Sequence, residues 1–450
     1  MKKYQLSIKR YPSYKDSGTI WLGEIPKHWK IMMIKNIYHH FGSGSTPESS
    51  EIKYYENGTI NWLNTADLKN DLVVETSRKI TSLALKEKSL RIYPINTLAI
   101  AMYGQGDTRG NVGLLKIEAT TNQAACMMYC SSNSIPEYML LWFVAKKTDI
   151  RELNVGATQP NMNKDFVRNL LMSLPPLPEQ KSIAHYLDTK TAQIDRKIDL
   201  LTQKAKSYAD LKRSLINETV TRGRDRSVPM KDSGIEWIGE VPAHWKVKHF
   251  KQFSTMKGRI GWQGLKHSEF IDEGPFLITG MNFKSGKINW NEVYHITDER
   301  YEQAPEIQLK ENDILITKDG TIGKLLFVDN IPAPHKASLN SHLLVFRPIQ
   351  NSYHPKYLYY QLDSSAFQDY VEVAKAGTTF FGISQAAVGR YIGILPPLSE
   401  QKAIATYLDT KTAQIDQIIQ TINTQIEKLK ELRKTLINDV VTGKIKVTED

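Results

Sequence analysis

A chain of 450 residues is too long for one hydrophobic core and predicts two or three domains. Its composition, 41% hydrophobic and 24% charged, is that of a globular protein, and no apolar run is long enough to cross a membrane. The net charge of +11 comes wholly from residues 1–230, which hold 33 basic and 22 acidic residues. Bulk charge alone therefore argues only weakly for a nucleic-acid partner.

The N-terminus and the cysteines both indicate a reducing compartment. The first residues, MKKYQLSIKRYPSYKDSG, contain neither the apolar core nor the cleavage site of a secretory signal. Cys126 and Cys130 lie in an apolar stretch without further cysteine or a nearby histidine, so we expect two buried thiols rather than a zinc site. The predicted location is the cytoplasm.

Two blocks of sequence occur twice. KDSGTIWLGEIPKHWK at 15–30 returns as KDSGIEWIGEVPAHWK at 231–246, with 11 of 16 residues identical. LPPLPEQKSIAHYLDTKTAQID, from Leu174, returns as LPPLSEQKAIATYLDTKTAQID from Leu395, with 19 of 22 identical. Offsets of 216 and 221 residues are far longer than the repeats of solenoid proteins, so they indicate a duplicated half-molecule.

The second block predicts the start of a helix. Proline keeps the Leu-Pro-Pro-Leu segment extended. A helix should follow, with Pro178 in its first turn in one copy and Ser399 as its N-cap in the other. Glu179 and Glu400 would complement the positive end of the helix dipole.

A break near LDTK is expected, with Asp188 or Asp409 capping a second, longer helix in each copy. The apolar residues of these longer helices then recur with the spacing of a coiled coil. The first seam is Ile194, Ile198, Leu201, Ala205, Tyr208 and Leu215, and the second is Ile415, Ile419, Ile422, Ile426, Leu429, Leu436 and Val440. Lys212 and Arg433 interrupt them at equivalent places. A homodimeric zipper is one interpretation, but two matched helices in one chain favour an intramolecular antiparallel pair.

The regions between the repeats, about 31–173 and 247–394, predict an α/β fold. They contain short apolar runs such as TLAIAMY and DILIT, broken by glycine, asparagine and aspartate. GNVG in the first region and GTIG in the second follow such runs. We therefore expect one fold with different surface loops.

Motifs of catalysis are missing from the sequence. It contains no phosphate-binding loop, no glycine-rich methyl-donor loop, no Asn-Pro-Pro-aromatic motif, and no histidines grouped with other metal ligands. This pattern favours a binding protein over an enzyme. A duplicated binding module joined by helices would suit a two-part DNA site.

The whole chain resembles the specificity subunits of type I restriction–modification systems. The resemblance rests on the paired tryptophan blocks, on LPPL followed by Glu-Gln, and on YLDTKTAQID, each present twice. It implies two similar α/β target recognition domains, an α+β architecture with a pair of long antiparallel coiled-coil helices between them and an internal pseudo-two-fold repeat. One departure is that MYGQGDTRGNVG is longer than its counterpart TKDGTIG, so base contacts do not transfer between the halves.

The resemblance also implies the partners. These are double-stranded DNA, two modification subunits that bind S-adenosylmethionine and methylate adenine, and restriction subunits that use ATP and Mg. The chain itself would bind no cofactor, metal or membrane and would be associated with the nucleoid through DNA. The alternatives are a self-contained methyltransferase or nuclease with fused specificity domains, and a coiled-coil scaffold without a DNA role.

The repeats also set the predicted domain boundaries. These are an N-terminal repeated block at 1–30, the first target recognition domain at 31–173, a helical spacer at 174–222, the second repeated block at 223–246, the second target recognition domain at 247–394, a C-terminal helical spacer at 395–443 and a tail at 444–450.

Base edges are read by polar side chains on loops, which gives a set of candidate DNA-binding residues. In the first region they are Ser43, Ser45, Asn64, Thr65, Gln105, Arg109, Gln159 and Asn161. In the second region they are Lys257, Arg259, Gln263, Asn282, Lys318, Thr378 and Thr379. Each is equally well explained as a solvated loop residue.

Two further sets of residues recur with the repeats. The tryptophans of the first block, Trp21, Trp29, Trp237 and Trp245, are expected to pack that block on the helices rather than to stack on bases. Gln180 and Gln401 would either hold a joint between domains or touch a partner subunit.

Overall fold

The structure is a computed structural model that describes residues 9–104, 106–153, 162–236, 238–259, 265–284, 286–376 and 382–447. The chain divides into two compact units. Unit 1 consists of Met1–Leu201 and Thr424–Asp450, and unit 2 consists of Thr202–Asn423. Each unit therefore contains one variable region and parts of both long helices.

The elements of the first half of the chain lie in unit 1, except for the end of α4. The strands are β1 (Tyr14–Asp16), β2 (Glu24–Pro26), β3 (Lys30–Met33), β4 (His40–Gly42), β5 (Ile60–Leu63), β6 (Asp71–Val73), β7 (Arg78–Ile80), β8 (Leu98–Ala101), β9 (Val112–Leu115), β10 (Thr120–Thr121), β11 (Ala125–Tyr129) and β12 (Leu171–Leu174). The helices are α1 (Ser82–Glu87), α2 (Pro136–Glu152), α3 (Lys164–Asn169) and α4 (Leu177–Arg222).

The first variable region is built on a sheet with the order β4-β11-β8-β9-β6. Strands β8, β9 and β11 are buried along their whole length, which explains their continuous apolar sequences. A second sheet has the order β10-β5-β7, in which β10 and β5 are parallel. The antiparallel pair β3 and β12 joins the two ends of the region.

The elements of the second half lie in unit 2, except for the end of α9. The strands are β13 (Met230–Asp232), β14 (Glu240–Pro242), β15 (Lys246–His249), β16 (Ser254–Lys257), β17 (Ile271–Ile278), β18 (Phe283–Lys284), β19 (Lys287–Ile288), β20 (Tyr294–His295), β21 (Ile314–Thr317), β22 (Leu325–Phe327), β23 (Ala337–Leu339), β24 (Leu343–Pro348) and β25 (Ile392–Leu395). The helices are α5 (Asp298–Glu302), α6 (Pro355–Asp363), α7 (Ser365–Ala376), α8 (Gln385–Arg390) and α9 (Leu398–Val441).

The second variable region repeats the topology of the first. Its main sheet has the order β16-β24-β21-β22, which matches β4-β11-β8-β9. The sheet β20-β17-β23 matches β7-β5-β10 and again contains one parallel pair, β17 with β23. Strands β15 and β25 join its ends as β3 and β12 do. The prediction of one fold with different loops is confirmed.

The long helices are continuous, so the predicted break at Asp188 or Asp409 is wrong. Helix α4 runs for 46 residues and α9 for 44 without interruption. The LDTK segment contains neither proline nor glycine, and its Leu187 and Leu408 are fully buried. Burial of one continuous apolar face stabilises an uninterrupted helix, and this stabilisation outweighs the tendency of an aspartate to cap a new helix.

Both helices begin immediately after the proline pair. Pro178 and Glu179 lie in the first turn of α4, and Glu400 lies in the first turn of α9, as expected. Ser399 is not an N-cap, because α9 already begins at Leu398. The extended Leu-Pro-Pro segment delivers the chain directly into the helix, which leaves no capping position for the serine.

Within each unit, α4 and α9 run antiparallel. In unit 1, Ile183 and Leu187 of α4 share a core with Ile437 and Val440 of α9. In unit 2, the later residues of α4 share a core with the earlier residues of α9. These residues are Ile216 and Val220 of α4 with Ile404, Ala405 and Leu408 of α9. The predicted seam residues are all buried or half-buried, which confirms an intramolecular antiparallel pair.

The cysteines differ from the prediction of two buried thiols. Cys126 lies in β11 and is fully buried, and this burial raises its thiol pKa to about 12. Cys130 follows the strand with a φ of 58° and is exposed. The strand ends at Tyr129, so the chain turns outward there.

No helix in the described part of the chain is long and apolar enough to span a membrane. The described residues also contain no group of histidine, cysteine, aspartate and glutamate that could hold a metal ion.

Candidate nucleic-acid interface

Gln180 joins the first variable region to α4. Its side chain is fully buried. Its Oε1 accepts a hydrogen bond from Ile135 N at 2.8 Å, and its Nε2 donates to Pro175 O at 2.9 Å and Asn133 O at 3.1 Å. The chain just before α2 is thereby fixed to the first turn of α4. The glutamine is thus a structural joint, which decides between the two expected roles.

Gln401 makes the same joint in unit 2. It is 1% exposed, accepts from His354 N at 2.8 Å and donates to Pro396 O at 2.8 Å. His354 directly precedes α6 as Ile135 precedes α2. Each variable region is therefore attached to its long helix by the same pair of buried contacts.

The tryptophan blocks attach to the same helix ends. Trp29 is buried and its Nε1 donates to Glu179 Oε1 at 3.1 Å. Trp245 is buried and donates to Glu400 at 3.2 Å. Trp21 packs edge-on against Trp142 of α2, with 5.9 Å between ring centroids. These contacts confirm a structural role for the three tryptophans, and Trp237 lies outside the described residues.

A buried tyrosine in each unit ties together the joint and the end of a long helix. The Tyr138 hydroxyl donates to Ser173 O of β12 or Val441 O of α9, both at 3.3 Å. The Tyr357 hydroxyl lies 2.9 Å from Ile394 O and 3.3 Å from Val220 O. Complete burial raises the pKa of both hydroxyls well above its usual range. They are therefore neutral hydrogen-bond donors at physiological pH.

In the first region, polar loop residues meet where β5 and β10 end. Asn122 N donates to Leu63 O at 3.3 Å, and Asn122 Nδ2 donates to Asn64 Oδ1 at 3.3 Å. Ala124 N donates to Asn122 Oδ1 at 3.0 Å, and Met102 N donates to Ala124 O at 2.8 Å. We call this connected edge the reading edge of the first region.

The segment after β4 joins the same edge. Gly44 N donates to Asn122 O at 3.1 Å, which places Ser43 and Ser45 on either side of the contact. A Cβ at Gly44 would lie 1.6 Å from Thr121 O, so only glycine allows this approach. The structure thus brings Ser43, Ser45 and Asn64 together.

The β8–β9 loop also reaches this edge. A Cβ at Gly104 would lie 3.1 Å from Thr65 Oγ1, so the loop passes directly over Thr65. Arg109 lies in the same loop and is half-buried. Lys147 and Arg151 of α2 form ion pairs with Asp107, which anchor the loop to the helix. Thr65 therefore also belongs to the reading edge of the first region, and Arg109 lies on the loop that passes over it.

The second region has the same backbone frame with different side chains. Asn340 N donates to Ile278 O at 2.9 Å, and His342 N donates to Asn340 Oδ1 at 2.6 Å. Lys318 N then donates to His342 O at 2.9 Å. These three bonds of the reading edge of the second region match three of the first, which run from Asn122 N to Leu63 O, from Ala124 N to Asn122 Oδ1 and from Met102 N to Ala124 O.

Two residues predicted to contact DNA are instead buried. Arg259 is 4% exposed, and it donates to Leu339 O at 2.8 Å and Ser338 Oγ at 3.0 Å. Burial lowers the pKa of its guanidinium to about 10. Asn282 is 2% exposed and bonds to Thr279 and to Glu292 O. Neither side chain can reach a base edge in this conformation, because each is occupied in holding the fold.

Lys257 is exposed at the end of β16, and Lys318 is half-buried immediately after β21. Lys318 thus lies on the reading edge of the second region through its bond to His342 O, and Lys257 lies on the edge strand of the main sheet. The remaining candidates, which lie outside the described residues, are Gln105, Gln159, Asn161, Gln263, Thr378 and Thr379.

The sequence prediction missed the asparagine that organises each edge. Asn122 and Asn340 both follow a short parallel strand and cap the backbone two residues later. The sequence does contain a signal for it. When TTNQA at 120–124 is aligned with SLNSH at 338–342, the asparagine is the one residue that the two segments share.

Comparison with known proteins assigns this architecture. The family model described as type I restriction modification DNA specificity domain matches residues 26–206 and again residues 242–428. The chain belongs to this family. The two matches to this family model correspond to the duplication that is seen in the sequence and in the sheet topology. Family membership favours a non-catalytic specificity subunit over a self-contained enzyme or a scaffold without a DNA role.

Individual relatives agree with the family assignment. The type I restriction enzyme MjaIX specificity subunit of Methanocaldococcus jannaschii is 26% identical, over 95% of this chain and 96% of its own. The MjaVIII specificity subunit of the same organism is also 26% identical, over 69% of this chain and 70% of its own. The chain is thus similar to these specificity subunits over most of their length.

Solved structures share the fold. A chain from a study of complex assembly and conformational transition in the type I R-M system matches with a TM-score of 0.71 and 16% identity, covering 93% of this chain and 98% of that one. The HsdS subunit of Thermoanaerobacter tengcongensis matches with a TM-score of 0.55 and 16% identity, covering 94% and 98%. This specificity subunit therefore has the fold of known ones.

Proposed function

We propose that this specificity subunit reads a bipartite, asymmetric DNA site, one half with each variable region. The observation that carries the proposal is the repeated reading edge, in which one backbone frame presents different side chains. A shared frame gives both regions the same approach to a duplex, and different side chains give them different base preferences. The two target recognition domains would be residues 31–173 and 247–394.

Base contacts would come from polar residues on the two reading edges or next to them. In the first domain these are Ser43, Ser45, Asn64, Thr65 and Arg109, and in the second they are Lys257 and Lys318. Hydroxyl, amide, guanidinium and ammonium groups supply the hydrogen bonds that distinguish base pairs in the major groove. Arg259 and Asn282 are left out of this set because they are buried.

The repeated blocks would hold the partners. Several exposed residues of α4 and α9 are identical in the two copies, such as Lys181 with Lys402 and Gln193 with Gln414. Exposed residues do not serve the core, so their repetition is explained by two copies of one partner. We propose that these are two modification subunits that methylate adenine with S-adenosylmethionine, joined by restriction subunits that use ATP and Mg.

The remaining segments would then have structural roles. Residues 1–30 and 223–246 would be the tryptophan blocks, 174–222 and 395–443 the helical spacers, and 444–450 a tail. The complex would act on DNA in the cytoplasm, and the specificity subunit itself would bind no cofactor.

Exchange of one region tests the proposal. Residues 31–173 are replaced by the corresponding region of another family member, and the chimera is expressed with its modification subunit. Strand pair β3 and β12 lies at the two ends of the exchanged segment, and Gln180 and Pro175 of the joint to α4 remain. The incoming region supplies the backbone groups that Ile135 and Asn133 present to Gln180. Genome-wide mapping of methylated adenine should show one changed half-site and one unchanged half-site. A simultaneous change of both would rule out independent reading.

A further inference from the structure

The reading edge of the second region contains a side-chain hydrogen bond between His342 and Asp319. Nδ1 of the imidazole contacts Oδ1 of the carboxylate, and the side chains are 58% and 34% exposed. Asp319 forms an isolated β-bridge with Gly382, and the His342 backbone bonds to both Asn340 and Lys318. The ring is therefore exposed and also held in place.

No such pair occupies the equivalent place among the described residues of the first region. In the shared frame of hydrogen bonds, Ala124 occupies the position of His342, and Tyr103 that of Asp319. Ala124 is 6% exposed and has no side-chain polar atom. The His342–Asp319 pair thus distinguishes the two edges at one equivalent place.

The chemistry of the pair determines what the ring presents to solvent. An ionised carboxylate only accepts hydrogen bonds, so the proton lies on Nδ1 of His342. A neutral imidazole in this tautomer carries a lone pair on Nε2, which is an acceptor. Within the described part of the chain, Nε2 has no hydrogen-bond partner. In the major groove, the donors that match such an acceptor are the exocyclic amino groups of adenine and cytosine.

We propose that His342 is a specificity-determining residue of the second target recognition domain and that Asp319 is its positioning residue. His342 Nε2 accepts a hydrogen bond from the amino group of an adenine or a cytosine in the half-site. The inference rests on the proposed function, because residues 247–394 must read that half-site.

Methylation mapping with the complete complex tests the role of His342. His342→Ala should reduce the preference at one position of the second half-site about ten-fold, the effect of one lost hydrogen bond. The first half-site should not change. His335→Ala is a matched control, because His335 is also exposed and bonds through Nδ1 to Ile331 O at 2.7 Å, but it precedes β23 whereas His342 follows it. The control should leave the whole site unchanged.

Asp319 variants separate positioning from folding. Asp319→Ala should reduce the base preference at the same position, but by less than His342→Ala does, because the imidazole remains and is no longer oriented. Asp319→Asn retains an oxygen acceptor for Nδ1–H and should restore most of the preference. Equal relaxation by both Asp319 variants would contradict the positioning role.

Base analogues test the direction of the hydrogen bond. With the site known, the affected adenine is replaced by purine, which lacks the amino group, or by 7-deazaadenine, which lacks N7. For a cytosine, the analogue lacks the 4-amino group. Removal of the amino group should weaken binding of the wild-type complex about ten-fold and leave the His342→Ala complex unaffected. Sensitivity to N7 instead, or to neither change, would overturn the proposal.

The outcomes of the two proposals remain distinguishable. If exchange of residues 247–394 changes the half-site while His342→Ala does not, the inference about His342 is wrong and the proposed function stands. If exchange of the region also leaves the half-site unchanged, the proposed function itself is wrong.

Discussion

Arg433 of α9 forms an ion pair with Asp195 of α4, with 2.9 Å between Nε and Oδ1. In unit 2, Lys212 and Asp416 form the equivalent pair, with 2.7 Å between Nζ and Oδ2. The two aspartates are the same residue of the repeated YLDTKTAQID block. The cations that interrupt each apolar seam are therefore matched to an acidic residue on the antiparallel neighbour. Such a pair specifies the register of the helices, because a shift by one turn would separate the charges.

Reversal of one charge should weaken this helix pair, and reversal of both should restore it. Asp195→Arg places two cations together, whereas Asp195→Arg with Arg433→Asp recreates the pair in the opposite sense. The side chains are 37% and 48% exposed, so the coupling free energy should be only about 0.2–1 kcal/mol. Unfolding midpoints of the four combinations give this value. The Lys212–Asp416 pair should give a similar one, and absence of coupling in both would exclude a role in register.

Removal of a buried glutamine joint should change the free energy of unfolding by more than the loss of one of these ion pairs. Gln180→Ala removes the hydrogen-bond partner of Ile135 N, Pro175 O and Asn133 O, of which the bond to Pro175 O is buried and the other two are partly buried. The expected loss is about 3 kcal/mol in the free energy of unfolding. Gln193→Ala, at an exposed position of the same helix, is the control and should change it by less than about 0.5 kcal/mol. Urea unfolding measures both, and equal losses would contradict the joint.

The repeats predicted the architecture because they relate segments that lie more than 200 residues apart in the chain. Similar blocks at nearly equal offsets of 216 and 221 residues indicated two similar units, and two matched seams in one chain favoured paired helices. The prediction of Ser399 as an N-cap was wrong, because the proline pair sets where the helix begins. The break at Asp188 failed for a related reason. An aspartate can end a helix locally, but burial of Leu187 on the core side decides otherwise.

The reading edges were only partly predictable, since local sequence does not reveal which side of a loop faces the core. Arg259 and Ser45 are both polar residues shortly after an edge strand, yet Arg259 is buried against β23. Asn282 was chosen as a loop amide and instead caps its own turn. The shared asparagine of TTNQA and SLNSH was visible in the sequence, but only the hydrogen bonds of the structure show that Asn122 and Asn340 organise the two edges.

The buried tyrosines predict loss of stability in alkali. The pKa of Tyr138 is raised by burial in the folded state, whereas an unfolded tyrosine ionises near pH 10. The stabilising contribution is therefore fully present below about pH 10 and decreases as the pH rises above it. At pH 8, Tyr138→Phe should lower the free energy of unfolding by about 1 kcal/mol, because one hydrogen bond is lost. Above pH 10, the free energy of unfolding of the variant should fall less steeply with pH, by up to about 1.4 kcal/mol per pH unit.

Tyr357→Phe should have the same two effects in unit 2, because its pKa is raised by the same cause. Unfolding free energies measured from pH 8 to 11 provide the slopes for both variants. A slope identical to that of the unmodified chain would show that the hydroxyls ionise in the folded state. Their proposed role as neutral donors to the helix ends would then be wrong.

The organising asparagines should act on separate half-sites. Asn122→Ala removes the bonds to Ala124 N and Asn64, which costs about 1 kcal/mol and releases the first reading edge. Asn340→Ala removes the bond to His342 N and releases the second. Each variant should relax base preference in one half of the methylated site and preserve it in the other, so each serves as the control for its counterpart. The physical reason is that every bond of either frame lies within one variable region. Adenine methylation mapped in cells with the modification subunit is the measurement, and loss of preference in both halves from a single change would refute two separate reading edges.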